Sequence, residues 1–270
     1  MSIEIPLESA SLAQLQQTPI DNVLNIIDQG LVHLPSYREL FYRWERQQWR
    51  AQEIDFTPDR LQFEAMSPQA RQERMYGLSA FFREVLGIER ETLEDTLEVT
   101  HQYMNSHLQY ILIEALSEVA ERIRQEPAKI AYLVEGITLY HVIVEGALAL
   151  TGQRNILDLY RQNNLFPAFR GGFTAVARDE SRHVVFGVKF LREMIQRDAA
   201  NAKVIQAAVD KYAPVALKAL TPTDEAIAQM LAMQADPWTS PRYAQDSLRK
   251  KLKVVGLSME LPHVPPPPVF

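Results

Sequence analysis

Apolar side chains recur at intervals of three and four along most of this chain, the spacing of helices buried on one face. Residues 9–30 fit one or two such helices, with Ser9 or Ser11 placed to cap the first. A second pattern starts after Pro35, where Leu40, Phe41, Trp44 and Gln48 repeat at helical spacing. Asp55 to Pro68 reads as turn-rich, and Ser67-Pro68 then opens a helix that becomes apolar through Met75, Leu78, Phe81 and Phe82. From Glu91 to Arg124 the apolar positions include Leu97, Tyr103, Leu108, Ile111, Leu112 and Leu116. Residues 130–152 are the most apolar segment, ending at Thr151-Gly152. Its Gly136 and Gly146 predict close approach of a neighbour, not a break. A helix is expected over 173–198, followed by two or three more, with Pro214 kinking one of them. No strand-like alternation occurs, so the expected class is all-α.

Composition adds exclusions. A chain of 270 residues, 47% hydrophobic and 23% charged, is long enough to bury one sizeable core. The net charge of −6 argues against a nucleic acid as main partner. With no cysteine there is no disulfide scaffold, thiolate metal site or cysteine nucleophile, and a cytoplasmic setting is expected. The N-terminus lacks a basic start followed by an apolar run, so no signal peptide is expected. No run approaches 18 uninterrupted apolar residues, so no membrane span is expected either. The end, LPHVPPPPVF, reads as a polyproline tail without a core of its own.

One motif points directly at chemistry. Glu180 and His183 lie three positions apart in Asp-Glu-Ser-Arg-His, which on a helix sets a carboxylate and an imidazole side by side. This is the half-site from which carboxylate-bridged dinuclear iron and manganese centres are built in helical bundles. Phe173, Val176, Val184 and Val185 around it favour a partly buried face, against the alternative of a surface salt-bridge face made by Arg178, Asp179, Glu180 and Arg182. Glu145 is the second candidate ligand, a carboxylate inside the apolar run YHVIVEGALAL. Left alone there it would cost several kcal/mol, so it must be ligated, protonated, or paired with His141 one turn back or with an arginine. A second Glu-x-x-His, Glu98 and His101, and the earlier Glu64 would complete a six-ligand set. Glu64, however, falls in a turn-rich stretch, and Glu98 in an acidic run typical of a solvated face.

The stretch YHVIVEGALALTG, followed by ARDESRH, resembles the ligand-binding oxidases related to the ribonucleotide reductase small subunit. QQWRAQEIDFTPDR looks like the same superfamily's entry to the bundle, and the resemblance covers about residues 38–200. It implies a ferritin-like helical bundle over 1–256, with an N-terminal helical extension and a Pro-rich tail over 257–270. It also implies an iron or manganese–iron centre beside a small apolar ligand such as a long-chain fatty acid. By this resemblance Glu145, Glu180 and His183 match metal ligands. Trp49 and Asp179 match a tryptophan and aspartate that, with a histidine ligand, form an electron path. An aspartate holding the other nitrogen of a metal-bound imidazole is also what second-shell physics would demand. Tyr140, five residues before Glu145, matches a tyrosine that crosslinks to a nearby valine.

The departure from the family pattern lies after Phe82. There Gly77-Leu78-Ser79-Ala80-Phe81-Phe82 runs almost directly into Arg83-Glu84-Val85-Leu86-Gly87, where the family has two further helices carrying half of its ligands and the valine. Glu98 and His101 follow that point, in what the family uses as an outer helix. The bundle is therefore expected to be incomplete, and a homodimer would cover the apolar groove left open. A metal-dependent oxidase is the first expected function. A non-catalytic scaffold binding a lipid or protein partner is the alternative. A reductase small subunit is disfavoured, because the tail after Gly256 holds no tyrosine for radical transfer.

Overall fold

A computed structural model describes residues 10–18, 20–68 and 105–270, and every regular element among them is a helix. Ser11 starts α1 (Leu12–Leu15) with a capping box: its hydroxyl accepts from the Gln14 amide, and the Gln14 side chain returns to the Ser11 amide. After α2 (Ile20–His33), Ser36 caps α3 (Tyr37–Arg46) by accepting from the Glu39 amide. A 3₁₀ turn at Ala51–Glu53 leads to α4 (Thr57–Ala65).

Helix α4 occupies the stretch expected to be turns. The Asp55 side chain accepts from the Thr57 amide at 2.9 Å, and Pro58 and Asp59 lie in the first turn. Proline and aspartate mark turns and helix starts alike, and here the helix prevails. The glutamate-histidine pair at Glu98 and His101, and the junction after Phe82, lie outside the described residues.

The remaining helices are α5 (106–125), α6 (Ile130–Gln162), α7 (Pro167–Arg197), α8 (Asn201–Ala219), α9 (Asp224–Ala232) and α10 (Thr239–Val255). α6 runs past Gly152, where the apolar pattern ends, because Leu157 and Tyr160 keep an inward stripe going to Gln162. Pro214 lies inside α8. The middle of α6, Thr138–Ala149, winds as π-helix, with hydrogen bonds reaching one residue further than in an α-helix. This segment is the hub of the bundle, packing against α7, α8 and α10, while α7 lies across α1, α2 and α6.

Small residues set the closest approaches. A Cβ on Gly136 would stand 2.9 Å from Ile123, and one on Gly146 would stand 2.8 Å from the Lys251 stem, as the sequence pattern predicts. By length and composition α6 could cross a membrane, with a mean hydropathy of 1.5, and 61% of that apolar window is buried inside the fold. The criterion of 18 uninterrupted apolar residues does not pick it out, because Glu135, His141 and Glu145 interrupt the run. The C-terminal tail is docked: Leu257, Met259, Leu261 and Val264 pack on the core, and Arg242 donates to the Pro265 carbonyl at 2.9 Å.

Candidate metal centre

The π-helical segment of α6 and the middle of α7 build the site between them. On α7 the three-residue spacing puts Glu180 and His183 on one face, and the Glu180 Oε2 lies 3.2 Å from His183 Nδ1. From α6, Glu145 Oε1 lies 3.2 Å from that same nitrogen. One ligand atom each from Glu145, Glu180 and His183 falls within 4.8 Å of the others. The other oxygen of Glu145, Oε2, is 2.6 Å from Nδ1 of His141. Glu145 thus faces two imidazoles, one with each oxygen.

These contacts settle how a carboxylate survives in an apolar run. Burial pushes the Glu145 carboxyl up, but the hydrogen bonds and charge of His141 and His183 together bring it down to about 2. Hydrogen bonds to Glu145 and Glu180 lift the His183 imidazole to about 10, against the pull of burial. His183 is therefore a cation lodged where two carboxylates converge, and its Nδ1 proton holds the place a metal ion would take. Two carboxylates and one imidazole are hard-to-intermediate donors that suit iron or manganese, so the residues present fit such an ion. Among the described residues nothing closes one side of the site: the His183 side chain is 50% exposed and Tyr140 is 44% exposed. Half-exposed Phe186 flanks that opening, its ring 5.6 Å from His141 and 5.4 Å from Tyr37.

The other residues singled out in the sequence fall into two groups. Tyr140 hydrogen-bonds to Glu145, and burial together with the Glu145 and Glu180 carboxylates raises its hydroxyl pKa. The π register explains the contact, since it stacks residues five apart. Trp49 donates its indole N–H to Asp179 Oδ2 at 3.0 Å. Asp179 turns its other oxygen to Arg182, 2.9 Å away, and Arg182 also binds the Gln47 side chain. Among the described residues no hydrogen bond joins Asp179 to His183, so the aspartate does not hold that imidazole's other nitrogen. Trp49, Asp179 and Arg182 instead line a polar cleft of about 580 Å³ beside α3. Glu64 is exposed on α4 and faces Arg60, which removes it from the donor set.

Two residues of the site were not anticipated as functional. His141 entered the sequence reading only as a possible partner of Glu145. Gly187, one turn beyond His183, makes room for it: a Cβ there would stand 2.3 Å from the His141 Cβ. The one available signal was a glycine at helical spacing from the motif, on the same face as the ligands.

No protein-family model matches the chain. Solved structures do share its fold. It is similar to a point mutant of an R2-like ligand-binding oxidase with an anaerobically reconstituted Mn/Fe cofactor, at 19% identity and TM-score 0.60, over 80% of this chain and 92% of that one. A second mutant, with a non-activated Mn/Mn cofactor, matches at 19% identity and TM-score 0.60 over 80% and 91%. A third, with an aerobically reconstituted Mn/Fe cofactor, matches at 18% identity and TM-score 0.59 over 80% and 92%. The fold is thus the ferritin-like helical bundle that the sequence resemblance implies.

Proposed function

We propose that this protein is a metal-dependent oxidoreductase of the ligand-binding oxidase type, using iron or manganese held by Glu145, Glu180 and His183. The observation that carries this reading is the convergence of two carboxylates on His183 Nδ1 at the hub of this bundle. A bound iron or manganese ion would supply redox chemistry with dioxygen. Glu145 and Glu180 bring the negative charge that holds it, and His183 gives up its Nδ1 proton to bind it. Tyr140, hydrogen-bonded to Glu145, would give or receive a proton at the open edge. Trp49 would relay electrons between the polar cleft and the site through Asp179, the neighbour of Glu180 on α7, and not through a hydrogen bond to His183. The aromatic flank of Tyr37 and Phe186 favours an apolar ligand such as a fatty acid at the opening. A cytoplasmic homodimer completes the proposal, and light scattering at micromolar concentration tests its assembly.

The decisive experiment is elemental analysis of protein expressed with ample iron and manganese. Close to one ion per chain is expected, and Glu180→Ala should abolish it. Less than about a tenth of an ion per chain sinks the reading. A second reading, a non-catalytic scaffold, is favoured by one observation: among the described residues only three ligand side chains gather. It predicts no metal and an apolar ligand in an organic extract, read by mass spectrometry.

A further inference from the structure

We infer that His141 is a positioning residue for the metal site: its Nδ1–H holds Glu145 Oε2 so that Oε1 is aimed at the cation shared with Glu180 and His183. This rests on the metal reading above and deepens it, since nothing in the ligand set itself assigns His141 a role.

The argument begins with the bond. An ionised carboxylate only accepts hydrogen bonds, so the 2.6 Å contact makes Nδ1 of His141 the donor. The pair is well shielded, with 15% of the His141 side chain and 5% of Glu145 exposed, and a charge-assisted bond in such surroundings is strong and directional. Without it, a glutamate retains free rotation about its last bond and presents either oxygen to the cation. With it, one oxygen is committed to His141, and the other is left facing His183 Nδ1 at 3.2 Å. A ligating carboxylate that is itself hydrogen-bonded is the arrangement by which outer residues tune metal affinity.

The fold also spends a glycine on this histidine. α7 carries the ligand His183 and, one turn later, Gly187, whose missing side chain leaves the space for the His141 imidazole. A Cβ at Gly187 would lie 2.3 Å from Cβ and 2.9 Å from Cγ of His141. The ring is steadied edge-on by Tyr140 at 4.9 Å and Phe186 at 5.6 Å. A histidine serving only as a surface ion pair would need no such cradle.

Cobalt(II) titration of the full-length, metal-stripped protein tests this, because cobalt's visible absorption reports its coordination as well as its affinity. His141→Leu should weaken binding about 10–100-fold and alter the visible band. His141→Asn, whose amide N–H can take the place of Nδ1–H, should stay within about threefold of the parent. Gly187→Ala should weaken binding as His141→Leu does, although the histidine is still present. If His141→Leu binds cobalt with the parent's affinity and spectrum, the bond is merely structural and the inference fails alone. If His141→Asn is as damaged as His141→Leu, the imidazole itself ligates and positioning is refuted. If the parent chain binds no cobalt, both this inference and the metal reading fall.

Discussion

Asp59 and Glu145 are the two buried carboxylates among the described residues, 3% and 4% exposed. Both meet α7, one at its start and one near its middle. Asp59, from α4, accepts from the backbone amides of Ala168 at 2.9 Å and Phe169 at 2.7 Å. α7 needs this acceptor, because its own N-cap, Phe166, has left-handed backbone at φ 43° and no side-chain oxygen to offer. Burial outweighs the two amide bonds and holds the Asp59 carboxyl above the ordinary range. Burial raises the Glu145 carboxyl too, yet it sits at about 2, because its partners are imidazoles. Burial therefore does not distinguish a structural carboxylate from a chemical one. The partner does: a backbone amide cannot leave, whereas an imidazole proton can be exchanged for a metal ion.

The largest test of this contrast is Glu145→Gln, which should lower cobalt affinity by more than about 100-fold, since it exchanges a charged ligand for a neutral amide and does not merely loosen its support. Affinity within tenfold of the parent would break the comparison at its chemical end. Asp59→Ala should leave metal stoichiometry unchanged but lower folding stability by about 2–3 kcal/mol in urea titrations, the loss of a helix cap plus two stranded buried amides. A fall in metal content without a fall in stability would reverse the assignment.

The smallest effect is the response to acid. The folded chain holds the Asp59 proton more tightly than the unfolded chain does, so this group favours folding in acid and that advantage is lost as pH rises. Glu145 behaves oppositely: its contribution is present above its ordinary value of 4.5 and is lost as pH falls toward 2. Urea unfolding of metal-free protein between about pH 3 and 5 should then show Asp59→Asn losing stability more steeply on acidification, and Glu145→Gln less steeply. Each difference is bounded by about 1.4 kcal/mol per pH unit for a single group. Parallel curves would mean that the two carboxylates do not differ in the way their partners require.

The difference in partners also explains what could be read from the chain. Glu180, His183 and Glu145 were legible because a polar group inside an apolar helical run has few ways to exist, and a three-residue spacing on a helix guarantees a shared face. Asp59 was not legible. Its neighbours Thr57 and Pro58 read equally well as a turn, and the amides it caps lie 109 and 110 residues away. The π register of Thr138–Ala149 was hidden as well, since the apolar positions there fit an α-helix closely enough. That hidden register is what brings Tyr140 onto Glu145. His141 was visible only as one possible partner, and the cradle at Gly187 needed the crossing of α6 and α7 to show it.

The sequence by itself determined the helical class, the donor types and the side-by-side placement of Glu180 and His183, because a regular helix turns spacing into facing. Tertiary structure alone decided that Glu145 reaches His183 across two helices, that the Gly187 cradle on α7 seats His141, and that Asp59 meets amides instead of imidazoles. The physical reason is that a buried polar group must bond to whatever the neighbouring element presents at the point of contact, and that point is set by how the helices cross.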